Sequence, residues 1–341
     1  MITEKTLFIL GAGASKPYGF PTGDELSKKI ITKSIGLFEE YFPLDKNTQI
    51  IHFRNQYKYL IDKLIIPFQT IGKTSIDTWL NKNRSFIFIG KLLILLHIIK
   101  AEQESKYGFN LAISNDIIEE NTKIKIPDMD WFATLYNHMT DELTNSEDST
   151  KIKNNAISFI TFNYDRSLEF MLSQYLINDY NVKPEDINKC LGDIKIEHVY
   201  GMIADLHNNA NTKSSRGTLK YGENPFAENK LFAEELLQKN IKLVYDRAEI
   251  DTNKFSEIIA NNKRIFFLGF GFDKENLKIL GLPNALTKEH QIYATALGLS
   301  KNKQIDIIEQ LSRPKTHNTP KPSHIHLEDK YDSLKLLEEY L

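Results

Sequence analysis

Residues 6–15 read TLFILGAGAS, and this short stretch constrains the chain more than any other. The apolar run Leu7-Phe8-Ile9-Leu10 has the length and composition of a strand buried on both faces, as in a parallel sheet. It meets a Gly-Ala-Gly-Ala-Ser turn at once. Gly11 permits a tight turn, and Gly13 lets the backbone approach a pyrophosphate with no Cβ in the way. The turn's N–H groups and the start of the next helix would face that anion. A full dinucleotide-binding motif has a third glycine three residues after the second. Lys16 holds that place, so the loop is a variant. It continues into Tyr18-Gly19-Phe20-Pro21-Thr22-Gly23 and a helical Asp24-Glu25-Leu26. The same turn also reads as a plain strand end that binds nothing.

The rest of the chain repeats the strand-then-helix pattern. Ala156 to Phe162 reads as a second buried strand, followed by Asn163-Tyr164-Asp165 and a helix over Arg166 to Ile177. Further strands are expected at Ile194 to Val199, Arg264 to Leu268, Gln291 to Leu297 and His324 to Leu327, with a closing helix from Asp329. Helices are expected over Thr22 to Ile35, Phe232 to Tyr245 and Thr252 to Asn261, and Thr212 to Asn229 reads as a loop. Between the first two strands the patterns are helical: Tyr57 to Ile65, Ser75 to Leu80, Phe86 to Glu104 and Asp130 to Leu143. Asn145 to Thr150 reads as an exposed polar linker.

Alternating strands and helices imply an α/β fold, a Rossmann-like doubly wound parallel sheet with an inserted helical subdomain. The expected division is 1–35 and 151–341 for the sheet domain and 36–150 for the helical insert. Trp79, Trp131 and the aromatic helices of the middle region read as core. The run Phe86 to Ile99 reads equally as core and as a subunit interface.

Composition removes several function classes. A net charge of −2 gives no overall basic field, so direct nucleic-acid binding and an anionic membrane surface are not expected. Phe86 to Ile99 is interrupted by Lys91 and His97 and is too short to span a bilayer. Thr3-Glu4-Lys5 leads straight into a strand without a secretory leader, so the expected location is cytoplasmic. The single cysteine, Cys190, cannot build a disulfide framework or a four-cysteine zinc site.

Three pieces stand in order, GAGAS…YGFPTG, FITFNYD and EHVYG, and with the late FFLGFGF they resemble the sirtuin superfamily. The likeness is closest to the sirtuin-like domains of bacterial anti-phage defence systems. It covers about residues 1–30 and 151–330. It implies a protein that binds NAD as substrate at the carboxyl ends of the strands and breaks the nicotinamide–ribose bond. Gly11, Ala12, Gly13 and Ser15 match the family's phosphate loop, with Thr22 after it. Gly269 and Gly271 match a later loop on the diphosphate or ribose. Asn163 and Asp165 match the Asn-x-Asp after the central strand. There the Asn contacts the ribose and helps place water, and the Asp holds the carboxamide.

The chain departs from the family at its catalytic histidine, because Tyr200 stands before Gly201. His198, two residues earlier and on the same face of a strand, is the expected base. His207 is the other candidate. Asn163 and Asp165 also sit where a strand turns into a helix, so they read equally as an N-cap and a first-turn acid.

The resemblance implies an NAD glycohydrolase that yields nicotinamide and ADP-ribose, the effector of a defence based on NAD depletion. It needs no metal. ADP-ribosyl transfer and a non-catalytic NAD-derivative sensor are the alternatives. Protein deacetylation is not expected, since that activity accompanies the four-cysteine zinc module. No second sensor domain is evident. Control is therefore expected from a homo-oligomer or from a partner such as the HerA-like ring ATPase or short Argonaute found beside short sirtuin-like subunits.

Overall fold

The computed structural model describes residues 1–43, 48–72, 74–110, 130–206, 217–226, 239–246, 250–312, 322 and 324–341. Its centre is a six-stranded sheet. The strands are β1 (Thr6–Leu10), β2 (Ile157–Thr161), β3 (Lys195–His198), β4 (Arg264–Leu268), β5 (Gln291–Thr295) and β6 (His324–Glu328). Every pairing is parallel and the order is β3-β2-β1-β4-β5-β6. This is the strand order of doubly wound dinucleotide-binding folds, in which the direction of winding reverses between the first and fourth strands. The expected Rossmann-like α/β class is what the chain adopts.

The apolar strands form because both faces of the sheet are covered. Each residue of β1 and β2 is buried. Register then stacks aromatic rings across the sheet. Phe8 is level with Phe159 on one side and Phe266 on the other, each at a centroid distance of 5.3 Å. The row continues to Tyr293 at 4.8 Å and on to His326 at 5.3 Å. Same-face neighbours of this kind are the unit of sheet stabilisation.

Between β1 and β2 run α1 (Gly23–Tyr41), α2 (Thr48–Thr70), α3 (Ile76–Lys82), α4 (Ile87–Asn110) and α5 (Trp131–Thr140). Helix α1 begins at a capping box: Thr22 accepts from the Glu25 N–H, and Glu25 accepts from the Thr22 N–H. It buries Leu26, Ile30, Leu37, Phe38 and Tyr41, one stripe of its surface. The first half of helix α4 is apolar on nearly all sides, as a helix inside a core must be. Leu92, Leu93, Ile94, Leu95, Leu96, Ile98 and Ile99 are all buried in the core, and Phe86, Ile87 and Phe88 at the start of the run are half-buried. His97 is buried too, against Ser34 Oγ at 3.1 Å. Burial, with Lys29 and Lys33 nearby, pushes its imidazole down to about 4.

These helices share one continuous hydrophobic core with the sheet. Trp79 and Trp131 belong to that core, as expected. Among the described residues no helix is long and apolar enough to cross a membrane.

Three local expectations differ from the structure. The polar stretch after α5 is a 3-10 helix, Ser146–Asn154, not an open linker. Asn155 holds it by donating to the Met139 and Ile152 carbonyls while accepting from the Ile2 N–H. Within the loop expected at Thr212 to Asn229, Thr218–Leu219 pairs with Asp205–Leu206. The helix expected over Phe232 to Tyr245 falls mostly outside the described residues. The part seen is not helical beyond Asn240, and Ile241 bridges Gly201 instead.

Candidate functional site

The carboxyl ends of β1 and β4 cross at backbone contact. The Gly11 N–H donates to the Leu268 carbonyl at 3.0 Å, and the Gly13 N–H donates to the Gly269 carbonyl at 3.0 Å. A Cβ on Gly11 would lie 2.5 Å from the Gly269 oxygen, and one on Gly13 would lie 2.8 Å from the Gly269 Cα. Gly269 is left-handed at φ +56°, and a Cβ there would lie 2.1 Å from the Ala14 nitrogen. These glycines let two loops touch. The N–H groups of Gly11 and Gly13, expected to face a phosphate, are taken up by this crossing. Gly271 differs: it is exposed, with nothing near the place a Cβ would occupy.

Thr22 is also taken up locally, because its hydroxyl serves the capping box of α1. Helix α5 is tied to the same loop. Trp131 Nε1 donates to the Ala14 carbonyl at 2.8 Å, and the Tyr18 hydroxyl donates to Asp130 at 2.8 Å.

Asn163 follows β2 and reaches across to β1. Its Nδ2 donates to the Gly11 carbonyl at 3.0 Å and to Ser15 Oγ at 2.9 Å. A carbonyl only accepts, so this contact fixes which end of the amide faces the loop. Both amide hydrogens are then placed, and Oδ1 keeps its acceptor capacity. Asn163 is therefore not a helix cap. Asp165 is the residue that serves the helix start: it accepts from the Ser167 N–H at 3.1 Å and from the Ser167 hydroxyl. Burial pushes its carboxyl up, and the hydrogen bonds from Ser167 and Ser15 and the charge on His198 work against that shift.

His198 closes β3 beside Asn163, but not with a free ring nitrogen. Nδ1 lies 3.0 Å from the Asn163 backbone oxygen, and Nε2 lies 2.7 Å from Glu169 Oε1. Its side chain is 2% exposed. Burial opposes its charge, yet the Glu169 carboxylate and the two hydrogen bonds win, and the imidazole is raised above its ordinary value. Glu169, on α6 (Ser167–Tyr180), is lowered against its own burial by the same pairing. The expected base thus has both ring nitrogens engaged, and the Glu169 carboxylate favours its protonated form. His207 lies outside the described residues. Tyr200, directly before Gly201, is buried and donates to Asn276 Oδ1.

Glu169 and the pair Arg166 and Glu102 are charged residues of this corner to which the sequence reading gives no role. Arg166 is fully buried and paired with Glu102 of α4, its Nε to Oε1 at 3.0 Å and its Nη2 to Oε2 at 2.6 Å. Arg166 also donates to the carbonyls of Ala204 and Leu219. The available signal was weak: an acid in the first turn of a helix, and an Arg at the start of that helix. Among the described residues, no group of three or more His, Cys, Asp or Glu side chains is placed to hold a metal ion.

The structure therefore gathers Gly11, Gly13, Ser15, Asn163, Asp165, His198 and Gly269 around the carboxyl ends of β1, β2, β3 and β4, the point where the strand order reverses. No protein-family model matches the sequence, and a search of curated proteins finds no match either.

Proposed function

We propose that the chain is an NAD glycohydrolase of the sirtuin-like type, converting NAD and water to nicotinamide and ADP-ribose. The observation that carries this reading is Asn163. Its amide nitrogen is held by the glycine loop and by Ser15, and its Oδ1 keeps a free acceptor at the crevice where doubly wound folds bind dinucleotides. Breaking the C1′–N bond passes through an oxocarbenium-like ribose. The nicotinamide leaves as a neutral ring carrying the bonding pair, so it needs no general acid. Water adds to C1′ and releases a proton to solvent. A fixed amide oxygen accepts a hydrogen bond from that water or from a ribose hydroxyl without adding charge.

Gly271, exposed with open space where a Cβ would lie, and the half-buried Ala12 are the backbone positions left to meet the diphosphate. In this reading the enzyme depletes NAD as the effector of an anti-phage response. A homo-oligomer or a partner, such as a HerA-like ring ATPase or a short Argonaute, gates its turnover. A second reading, an NAD-derivative-binding module without turnover, is favoured by one observation: His198 has no ring nitrogen free to act as a base.

Chromatography of NAD incubated with the purified chain, alone and with its genomic neighbour's product, separates the two. The glycohydrolase reading expects nicotinamide and free ADP-ribose in equal amounts, lost in folded Asn163→Ala. NAD binding with no nicotinamide in either condition supports the module. ADP-ribose attached to protein would show transfer instead.

A further inference from the structure

We propose that Glu169 is a positioning residue for this site: through His198 it holds the backbone carbonyl of Asn163, and so sets where the Asn163 amide points. The inference rests on the functional reading above. Three observations carry it. The chain of contacts is short and unbroken, Glu169 Oε1 to His198 Nε2 at 2.7 Å and His198 Nδ1 to the Asn163 oxygen at 3.0 Å. It joins α6 and the end of β3 to the turn after β2, three elements that the glycine crossing does not join. Its far end is buried: Glu169 Oε2 is shielded from solvent and has no hydrogen-bond partner, which a carboxylate tolerates only when its other oxygen has a strong one.

A neutral imidazole has one N–H, so it would donate to the Asn163 carbonyl or to the Glu169 carboxylate, not to both. Only the imidazolium donates at both ends. The charged groups facing the pair are few. Asp165 lies on the turn, and Arg166 at the helix start is already held by Glu102. Removing the Glu169 charge leaves the imidazolium without its counter-ion. The ring then becomes neutral and the carbonyl is held only part of the time.

The test is Glu169→Gln in the full chain, with two readouts. The first is the pH titration of the His198 ring nitrogens by NMR. It is expected to midpoint above the ordinary 6.5 in the native chain and to move to lower pH in the variant. The second is nicotinamide release from NAD. Here kcat is expected to fall roughly 10- to 100-fold, the usual consequence of loosened geometry, with KM much less affected. The alkaline limb of its pH profile should move with the titration. His198→Gln supplies a neutral amide donor toward Asn163 and should recover part of kcat in the Glu169→Gln background. An unchanged His198 titration, or an unchanged kcat and pH profile in folded variant, overturns the proposal. If the native chain releases no nicotinamide under any condition, the glycohydrolase reading falls, and the titration still decides whether Glu169 sets the state of His198.

Discussion

The glycine crossing and the charged corner lie on opposite sides of Asn163, and they are built from different materials. At the crossing, Gly11 and Gly13 meet Gly269 through main chain alone, with no ionisable group and no room for a Cβ. In the corner, Glu169, His198, Arg166 and Glu102 are side chains, all ionisable and all largely buried. One region takes its precision from steric exclusion and the other from paired charge. The difference teaches how each will fail: the first should be sensitive to volume and indifferent to pH, the second the reverse.

The largest effect is expected in the charged corner. Glu102→Gln leaves the Arg166 guanidinium buried without its counter-charge, and removing one partner of a buried pair typically costs about 3–5 kcal/mol. Denaturant unfolding should show that loss. A loss under about 1 kcal/mol would mean the backbone carbonyls alone satisfy Arg166.

A smaller effect separates two glycines of one loop. Gly269→Ala adds a clash with Ala14 to a left-handed backbone and should destabilise by about 2–4 kcal/mol at every pH. Gly271→Ala, in open space, should stay within about 0.5 kcal/mol. Equal losses at both positions would mean that the crossing is not held by close approach.

The smallest effect is the pH signature of the corner. His198 is raised, so its contribution is complete below its ordinary 6.5 and is lost as pH climbs through the folded value. Glu169 is lowered, so its contribution is complete above its ordinary 4.5 and is lost as pH falls through the folded value. The stability gap between the native chain and Glu169→Gln should therefore be widest between those two ordinary values, at about 1–2 kcal/mol, and should narrow in alkali. A gap that is flat from pH 5 to pH 9 would contradict a charged pair.

The two regions also differed in what could be read from sequence. The crossing was legible because its determinants are local: TLFILGAGAS and RIFFLGFGF each carry an apolar run and glycines in continuous order. What those glycines do was less legible. The same pattern serves a phosphate or a second loop, and only the packing of Gly269 on Ala14 shows the second use. The position of Asn163 was readable, as a polar residue directly after a buried strand. Its role as a bridge to Ser15 was not, since 148 residues separate them. The corner was hardest, because Arg166 and Glu102 are 64 residues apart and each alone resembles an ordinary surface charge. His198 was found for its type and its strand. Its engagement at both nitrogens depends on Glu169, which one sequence does not link to it.

The most direct test of the central claim is amide hydrogen exchange of the full chain with and without NAD. The account predicts that added protection gathers at 11–15, 161–167 and 269–272, the three segments that meet where the strand order reverses, and that Asn163→Ala weakens it. Protection elsewhere, or none at NAD concentrations that saturate the native chain, would contradict the assignment of this crevice as the dinucleotide site.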